Sequence, residues 1–176
     1  MRAKFIYEKF TDESDPIGDM GIGMKTQIEK WVKTSIRYYG DGNAPFFNIN
    51  DDATIDVNLS CILIAAGDLP WYINFHIIKG DFIAERMNLT TLRGFPKIVY
   101  GDFSVHRNNL LSLEGGPEIV GGTYGCSLNP CLNSLKGIAK VIGGHIAFNN
   151  TLGITEKDIP EGTEIGCINN TCIGNW

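Results

Sequence analysis

The feature that most restricts this chain is that it superposes on itself. A shift of 21 residues lays Leu92-Arg93-Gly94-Phe95-Pro96-Lys97-Ile98-Val99-Tyr100-Gly101-Asp102-Phe103 on Leu113-Glu114-Gly115-Gly116-Pro117-Glu118-Ile119-Val120-Gly121-Gly122-Thr123-Tyr124, and a shift of 22 carries that copy onto Leu135 to Ile146. A fixed period in this range means a solenoid, because a unit so short cannot bury its own apolar face and must stack on its neighbours. The 21 glycines in 176 residues agree with tight turns recurring at set positions.

Each copy runs into a leucine-rich pattern, most completely as Phe103-x-Val105-x-x-Asn108-x-Leu110-x-x-Leu113. Alternation through Phe103, Ser104, Val105 and His106 describes a short strand with Phe103 and Val105 inward. The Asn that follows can hydrogen-bond backbone groups that would otherwise be buried without partners. Pro96 or Pro117 and the Ile-Val pair after it bring the chain back along a convex side, where an extended or 3-10 path fits and a full helix does not. Tyr124-x-Cys126-x-x-Asn129-x-Cys131 is the next copy, and Ile146-x-Phe148, with Thr151 at the Asn position, begins another. Upstream, Phe82-x-Ala84-x-x-Met87-x-Leu89-x-x-Leu92 carries Met87 for Asn; downstream, Ile165-x-Cys167-x-x-Asn170-x-Cys172 reads as a terminal copy. A degenerate strand is expected in Thr54 to Leu59. The fold class expected is a leucine-rich-repeat solenoid, mainly β, with short parallel strands, an irregular or 3-10 convex side and an N-terminal α-helical cap.

Residues 1–40 differ in character. Met24, Ile28, Trp31, Val32 and Ile36 recur at helical spacing, predicting one amphipathic helix over about 24–39 whose stripe lies on the first coil. Residues 41–176 form the solenoid, opened by a hairpin cap over about 46–59, with Ile173 to Trp176 expected to close the far end.

A charge of -5 with interspersed signs argues against nucleic acid as a partner, and no stretch has the length and hydropathy of a signal peptide or membrane span. Cys126 and Cys131, like Cys167 and Cys172, form C-x4-C pairs, but the repeat register sets Cys126 at the place of Val105 and Cys131 at that of Leu110, so small hydrophobes are expected rather than zinc ligands.

The run Asn50 to Val57, then Leu69-Pro70, then Gly80-Asp81-Phe82 and repeats of the form Leu-x-x-Leu-x-Gly-x-Pro-x-x-Val-x-Gly-x-Phe-x-Cys-x-x-Asn resemble a leucine-rich-repeat family of tailed bacteriophages. The opening Tyr7 to Ile17 with Asp19 to Gly23 is also similar to the start of many small phage proteins. The resemblance implies a virus-encoded protein acting in the cytoplasm of an infected bacterium. It implies no single biochemical activity.

No serine sits in a nucleophile-elbow context, and Gly18-x-x-Gly21-x-Gly23 follows no strand, so the expectation is a binding protein without cofactor or metal, not an enzyme. Parity places Asp81, Asp102, Thr123, His145 and Glu164 in one outward column. A second holds Ile83, Ser104, Gly125, Ala147 and Gly166, and a third Glu85, His106, Ser127, Asn149 and Ile168. Arg86 and Arg107 lie just beyond the strands as anchors able to pair with carboxylates. The partner expected on this ladder is a host protein, in the leading case one of an anti-phage defence, inhibited by occlusion. A particle component self-associating through the N-terminal helix, and sequestration of a small signalling ligand, are the alternatives.

Overall fold

The structure, a computed structural model, describes residues 16–39, 46–149, 153–168 and 171–172, with side chains over 23–39, 46–149 and 153–166. It is a β-solenoid with parallel strands and one N-terminal helix, α1 (Pro16–Ser35). Each coil contributes a strand to each of two ladders. In the first, β1 (Ile36–Tyr39), β4 (Ser60–Leu63), β6 (Phe82–Ile83), β8 (Phe103–Ser104), β10 (Tyr124–Gly125) and β12 (Ile146–Ala147) lie side by side in that order. In the second the order is β2 (Phe47–Ile49), β3 (Ile55–Val57), β5 (Phe75–Ile78), β7 (Ile98–Val99), β9 (Ile119–Val120), β11 (Val141–Ile142) and β13 (Glu164–Ile165). Phe82 pairs with Phe103 and Phe103 with Tyr124, so the register follows the repeat.

The return path expected to be extended or 3-10 is therefore extended, and it forms a second parallel sheet. The first ladder turns into the second through the positive-φ glycines Gly94, Gly115 and Gly137. At Gly94, with φ +82°, a Cβ would also lie 2.3 Å from the Ile73 carbonyl oxygen, so glycine is required on two counts. The second ladder passes back to the first across three residues such as Tyr100-Gly101-Asp102. There a Cβ on Gly122 would strike the Asp102 carboxylate at 2.1 Å.

The interior is a stack of apolar columns. Phe82 and Phe103 stack with centroids 6.1 Å apart, Phe103 meets Tyr124 at 4.9 Å, and Phe95 packs edge-on against both phenylalanines. Gly116 stands one coil on from Phe95, and the Tyr124 hydroxyl reaches toward the space it leaves, where it is buried without a hydrogen-bond partner among the described residues. The asparagines act as expected. Asn108 accepts the Met87 and Leu89 N–H groups at 2.9 and 3.2 Å and donates to the Ala84 and Val105 carbonyls at 2.8 and 3.0 Å. Asn129 repeats the arrangement one coil later.

The N-terminal end is closed three ways. β1 joins β4, and β2 joins β3, as antiparallel edge strands. The stripe of α1 lies on the same core, with Ile28 and Val32 fully buried and Trp31 6.4 Å from Phe75. The helix starts earlier than the periodicity indicated and stops at Ser35. Ile36-Arg37-Tyr38-Tyr39 is a β-branched and aromatic run that suits a strand, and Ile36 takes a register opposite Leu63.

Three expectations about the repeats are corrected. The strand expected within Thr54 to Leu59 is β3 and belongs to the second ladder, while the first-ladder strand of that coil is β4, with Cys61 opposite Phe82. Cys131 is exposed and Leu132 is fully buried, so Leu132 occupies the place of Leu110. The residue that lengthens this repeat to 22 lies between Asn129 and Leu132. Finally, Ile165 pairs with Ile142 in the second ladder, and β14 (Cys167–Ile168) pairs antiparallel with β15 (Thr171–Cys172), so this segment does not repeat the Phe103 strand. Glu164 and Gly166 thereby leave the outward columns in which parity placed them, as does Ile168. Thr151, Asn170 and the closing Ile173 to Trp176 lie outside the described residues.

Candidate interaction face

Most of the outward residues of the first ladder are engaged within the chain. At the corner, the Asp81 N–H donates to Ser60 Oγ, the Asp102 N–H to Asp81 Oδ1 at 2.8 Å, and the Thr123 N–H to Asp102 Oδ1 at 2.7 Å. Each side chain thus satisfies a backbone donor of the following coil. His145 continues this column half-buried. One strand position further on, Ile83 lies beside Ile62, and the Ser104 hydroxyl donates to Glu85.

The third column repeats the device with other chemistry. His106 Nδ1 accepts the Ser127 N–H at 2.9 Å, which leaves the ring proton on Nε2 in the neutral form. The ring lies over Gly125, where a Cβ would come within 2.3 Å of Nε2. Ser127 Oγ in turn accepts the Asn149 N–H at 3.0 Å. His106, placed outward by parity, is therefore a half-buried inter-coil link.

Arg86 and Arg107 behave differently. Both are exposed and occupy the turn just after the strand, with φ of 58° and 57°. The Arg86 N–H donates to the His106 carbonyl and the Arg107 N–H to the Ser127 carbonyl, so the two turns stack in register. Backbones in neighbouring strands lie about 5 Å apart. Two guanidiniums thus leave the surface from adjacent rungs, and neither forms an ion pair among the described residues. Lys25, Lys33, Lys136 and Lys140, by contrast, each pair with a carboxylate.

The second ladder has a face that the alternation argument overlooked. Ile77, Ile98, Ile119 and Val141 lie in register and point outward, Ile119 being 41% exposed. Beside them run Lys97, Glu118 and Lys140, with Lys140 3.0 Å from Glu118. The hydrogen bond and charge of Lys140 hold the Glu118 carboxyl below its ordinary value. On the other side Tyr100 is 58% exposed, followed by Gly121 and Gly143.

A groove of about 500 Å³ opens where the first ladder turns into the second, lined by Thr54, Phe75, His76, Arg93, Lys97 and Glu114 among others. Its charged groups are largely committed. Arg93 donates to the Leu69 and Trp71 carbonyls, Glu114 pairs with Lys136, and His76 with Asp56. Nearby, burial raises the Asp68 carboxyl, but bonds from the Thr90 hydroxyl and the Thr90 and Thr91 N–H groups outweigh it and hold the pKa below the usual value.

Among the described residues no three His, Cys, Asp or Glu side chains converge as metal ligands, and no helix is long and apolar enough to cross a membrane. Burial pushes the Cys61 and Cys126 thiols up to about 12, so both stay protonated and act as small apolar side chains. No family model, curated protein or solved structure matches the chain.

Proposed function

We propose that the chain is a non-catalytic protein-binding module whose contact surface centres on the turn carrying Arg86 and Arg107. The observation behind this reading is the pair itself. A side chain other than glycine in the left-handed region costs roughly 1 kcal/mol or more; the turn takes that conformation in three consecutive coils, at Arg86, Arg107 and Leu128, and carries long cations in two of them. Neither guanidinium has an ion-pair partner among the described residues. An acidic surface of a partner would supply the missing counter-charges, with each planar guanidinium able to take a carboxylate through two hydrogen bonds. The surrounding ladder, held rigid by its inter-coil hydrogen bonds, presents the pair at little ordering cost.

The phage resemblance adds the class of partner. In that reading the protein is virus-encoded, acts in the cytoplasm of the infected bacterium, and binds a host protein, a defence component in the leading case, inhibiting it by covering its working surface. The burial of Ile28 and Val32 leaves the helix stripe little to offer the alternative of a particle component associating through α1. Purification of the tagged chain from infected cells, followed by mass spectrometry, tests the reading. The expected result is a stoichiometric host protein that is retained by the wild type and lost from the Arg86→Glu/Arg107→Glu variant at an unchanged urea midpoint. Equal recovery with both chains, or recovery of virion proteins alone, refutes it.

A further inference from the structure

The second ladder's apolar column carries information about what covers it. Ile77, Ile98, Ile119 and Val141 form a straight outward stripe, flanked on one side by His76, Lys97, Glu118 and Lys140 and on the other by Lys79, Tyr100, Gly121 and Gly143. Successive rungs stand about 4.8 Å apart. The three columns can be compared with themselves in reverse. A two-fold axis lying along the strand direction, midway between the rungs of Ile98 and Ile119, turns the face onto a second copy with the coil order inverted and each column opposite itself.

Under that operation the contents of the two inner rungs match, while at the outer rungs His76 falls opposite Lys140 and Lys79 opposite Gly143. Ile98 meets Ile119 of the second copy, and Ile77 meets Val141. Lys97 falls opposite Glu118 of the other chain, and Glu118 opposite its Lys97, giving the charge match twice. Tyr100, a large exposed ring, falls opposite Gly121, which has no side chain, and this fit also occurs twice. Gly121 cannot be otherwise, because a Cβ there would lie 2.1 Å from the Tyr100 carbonyl oxygen of its own chain. Moving the axis by half a rung, onto the rung of Ile119, would set Glu118 against Glu118 and Lys97 against Lys140. A full-rung shift, midway between Ile119 and Val141, would keep Glu118 against Lys140 but set Ile98 against Glu164, so the charges and the apolar column together select the first register.

We infer that the second ladder is a homodimerisation face, with two copies packed sheet on sheet through Ile98 and Ile119 in the antiparallel register set by Lys97 and Glu118. Isologous self-complementarity of this kind is what a two-fold dimer requires. The patch spans four rungs and about four strand positions, roughly 15 by 13 Å. This is small beside the roughly 800 Å² per partner of a standard stable interface, so the dimer is weak and forms with rising concentration. Arg86 and Arg107 lie on the other ladder and stay accessible in it, so a dimer offers two copies of that turn.

Sedimentation of the full 176-residue chain from about 5 μM to about 1 mM tests the inference. A monomer–dimer equilibrium is expected. Lys97→Glu, which sets carboxylate against carboxylate twice, is expected to raise the dissociation constant about tenfold or more, and Tyr100→Ala to raise it several-fold. The Lys97→Glu/Glu118→Lys exchange is expected to return it to within about threefold of wild type, a rescue that an altered fold could not produce. All three positions are exposed, so the urea midpoint monitors folding separately. A chain that remains monomeric throughout, or a dimer indifferent to Lys97→Glu and Tyr100→Ala, overturns the proposal. Loss of partner capture in the arginine variant would leave this result untouched, since the two faces are tested by different substitutions.

Discussion

On the first ladder Asp81, Asp102, His106 and Ser127 reach forward to backbone N–H groups of the next coil, whereas on the second Ile77, Ile98, Ile119 and Val141 stand outward with apolar side chains. The difference begins in the backbone. Along the second ladder the amides, apart from Ile77, which donates to the Asp56 carboxylate, are satisfied by carbonyls of the preceding coil, as in Lys97 to His76, Glu118 to Lys97 and Gly121 to Val99. At the corner before the first ladder, the Asp81, Asp102 and Thr123 amides instead find their acceptors in side chains. An outward position in a solenoid is thus not automatically a free one. The ladder that looks polar enough to recognise a partner is largely occupied in holding itself, and the residues left over are Arg86 and Arg107 at its exit and the apolar stripe next door.

The strongest way to break this comparison is to remove a side chain that the first ladder needs for its own backbone. Asn108→Ala strands the Met87 and Leu89 amides and the Ala84 carbonyl in a buried turn, while the Val105 carbonyl keeps its bond from Asn129. Each unsatisfied buried group costs about 1–3 kcal/mol, so the loss in a urea titration is expected to be about 3–5 kcal/mol after partial rescue by water. A loss under 1 kcal/mol would mean that the asparagine column is decoration.

The same comparison marks what was legible beforehand. The period, the inward Phe103 and Val105 and the roles of Asn108 and Asn129 follow from spacing, because stacking identical rungs converts sequence period into spatial register. The second ladder was legible too, in the pairs Ile77-Ile78, Ile98-Val99, Ile119-Val120 and Val141-Ile142. A strand two residues wide can turn only one of them inward, so the other had to face out. What spacing could not give was the insertion between Asn129 and Leu132, since Cys131 and Leu132 are both apolar and only burial separates them. Nor could it give the inter-coil hydrogen bonds of Asp102 and His106, which depend on where strand pairing stops. Ser60 to Leu63 escaped notice because Cys61 and Leu63 stand in for Phe and Ala with no Asn after them, although Cys61 precedes Phe82 by one full period.

A middle-sized effect is expected from Asp102→Ala. It removes one charge-assisted acceptor from the Thr123 amide at an exposed corner, where water can replace it, so the cost is about 1 kcal/mol. Asp102→Asn keeps an acceptor in place and is expected to recover much of that. If the two substitutions were equivalent, the carboxylate would be serving the surface and not the backbone, and the contrast between the ladders would weaken.

The smallest effect should come from the acid on the other ladder, and it sharpens the contrast by its smallness. Glu118 is exposed and meets Lys140 on the next rung, a pair that water and salt screen well. Because Lys140 lowers the folded-state pKa of Glu118 below 4.5, its contribution is fully present above that value and is lost as pH falls through the lowered folded pKa. Glu118→Gln should therefore leave the urea midpoint at neutral pH and high salt where it was, and should slightly flatten the acid limb of stability below about pH 4.5. Measured at concentrations where the chain is monomeric, a larger change would show that Glu118 holds the coil together as Asp102 does. The same variant at high concentration should lose dimer, since there the carboxylate faces Lys97 of the second copy. An acid that is dispensable in the monomer and required in the pair is what separates a docking face from a structural one.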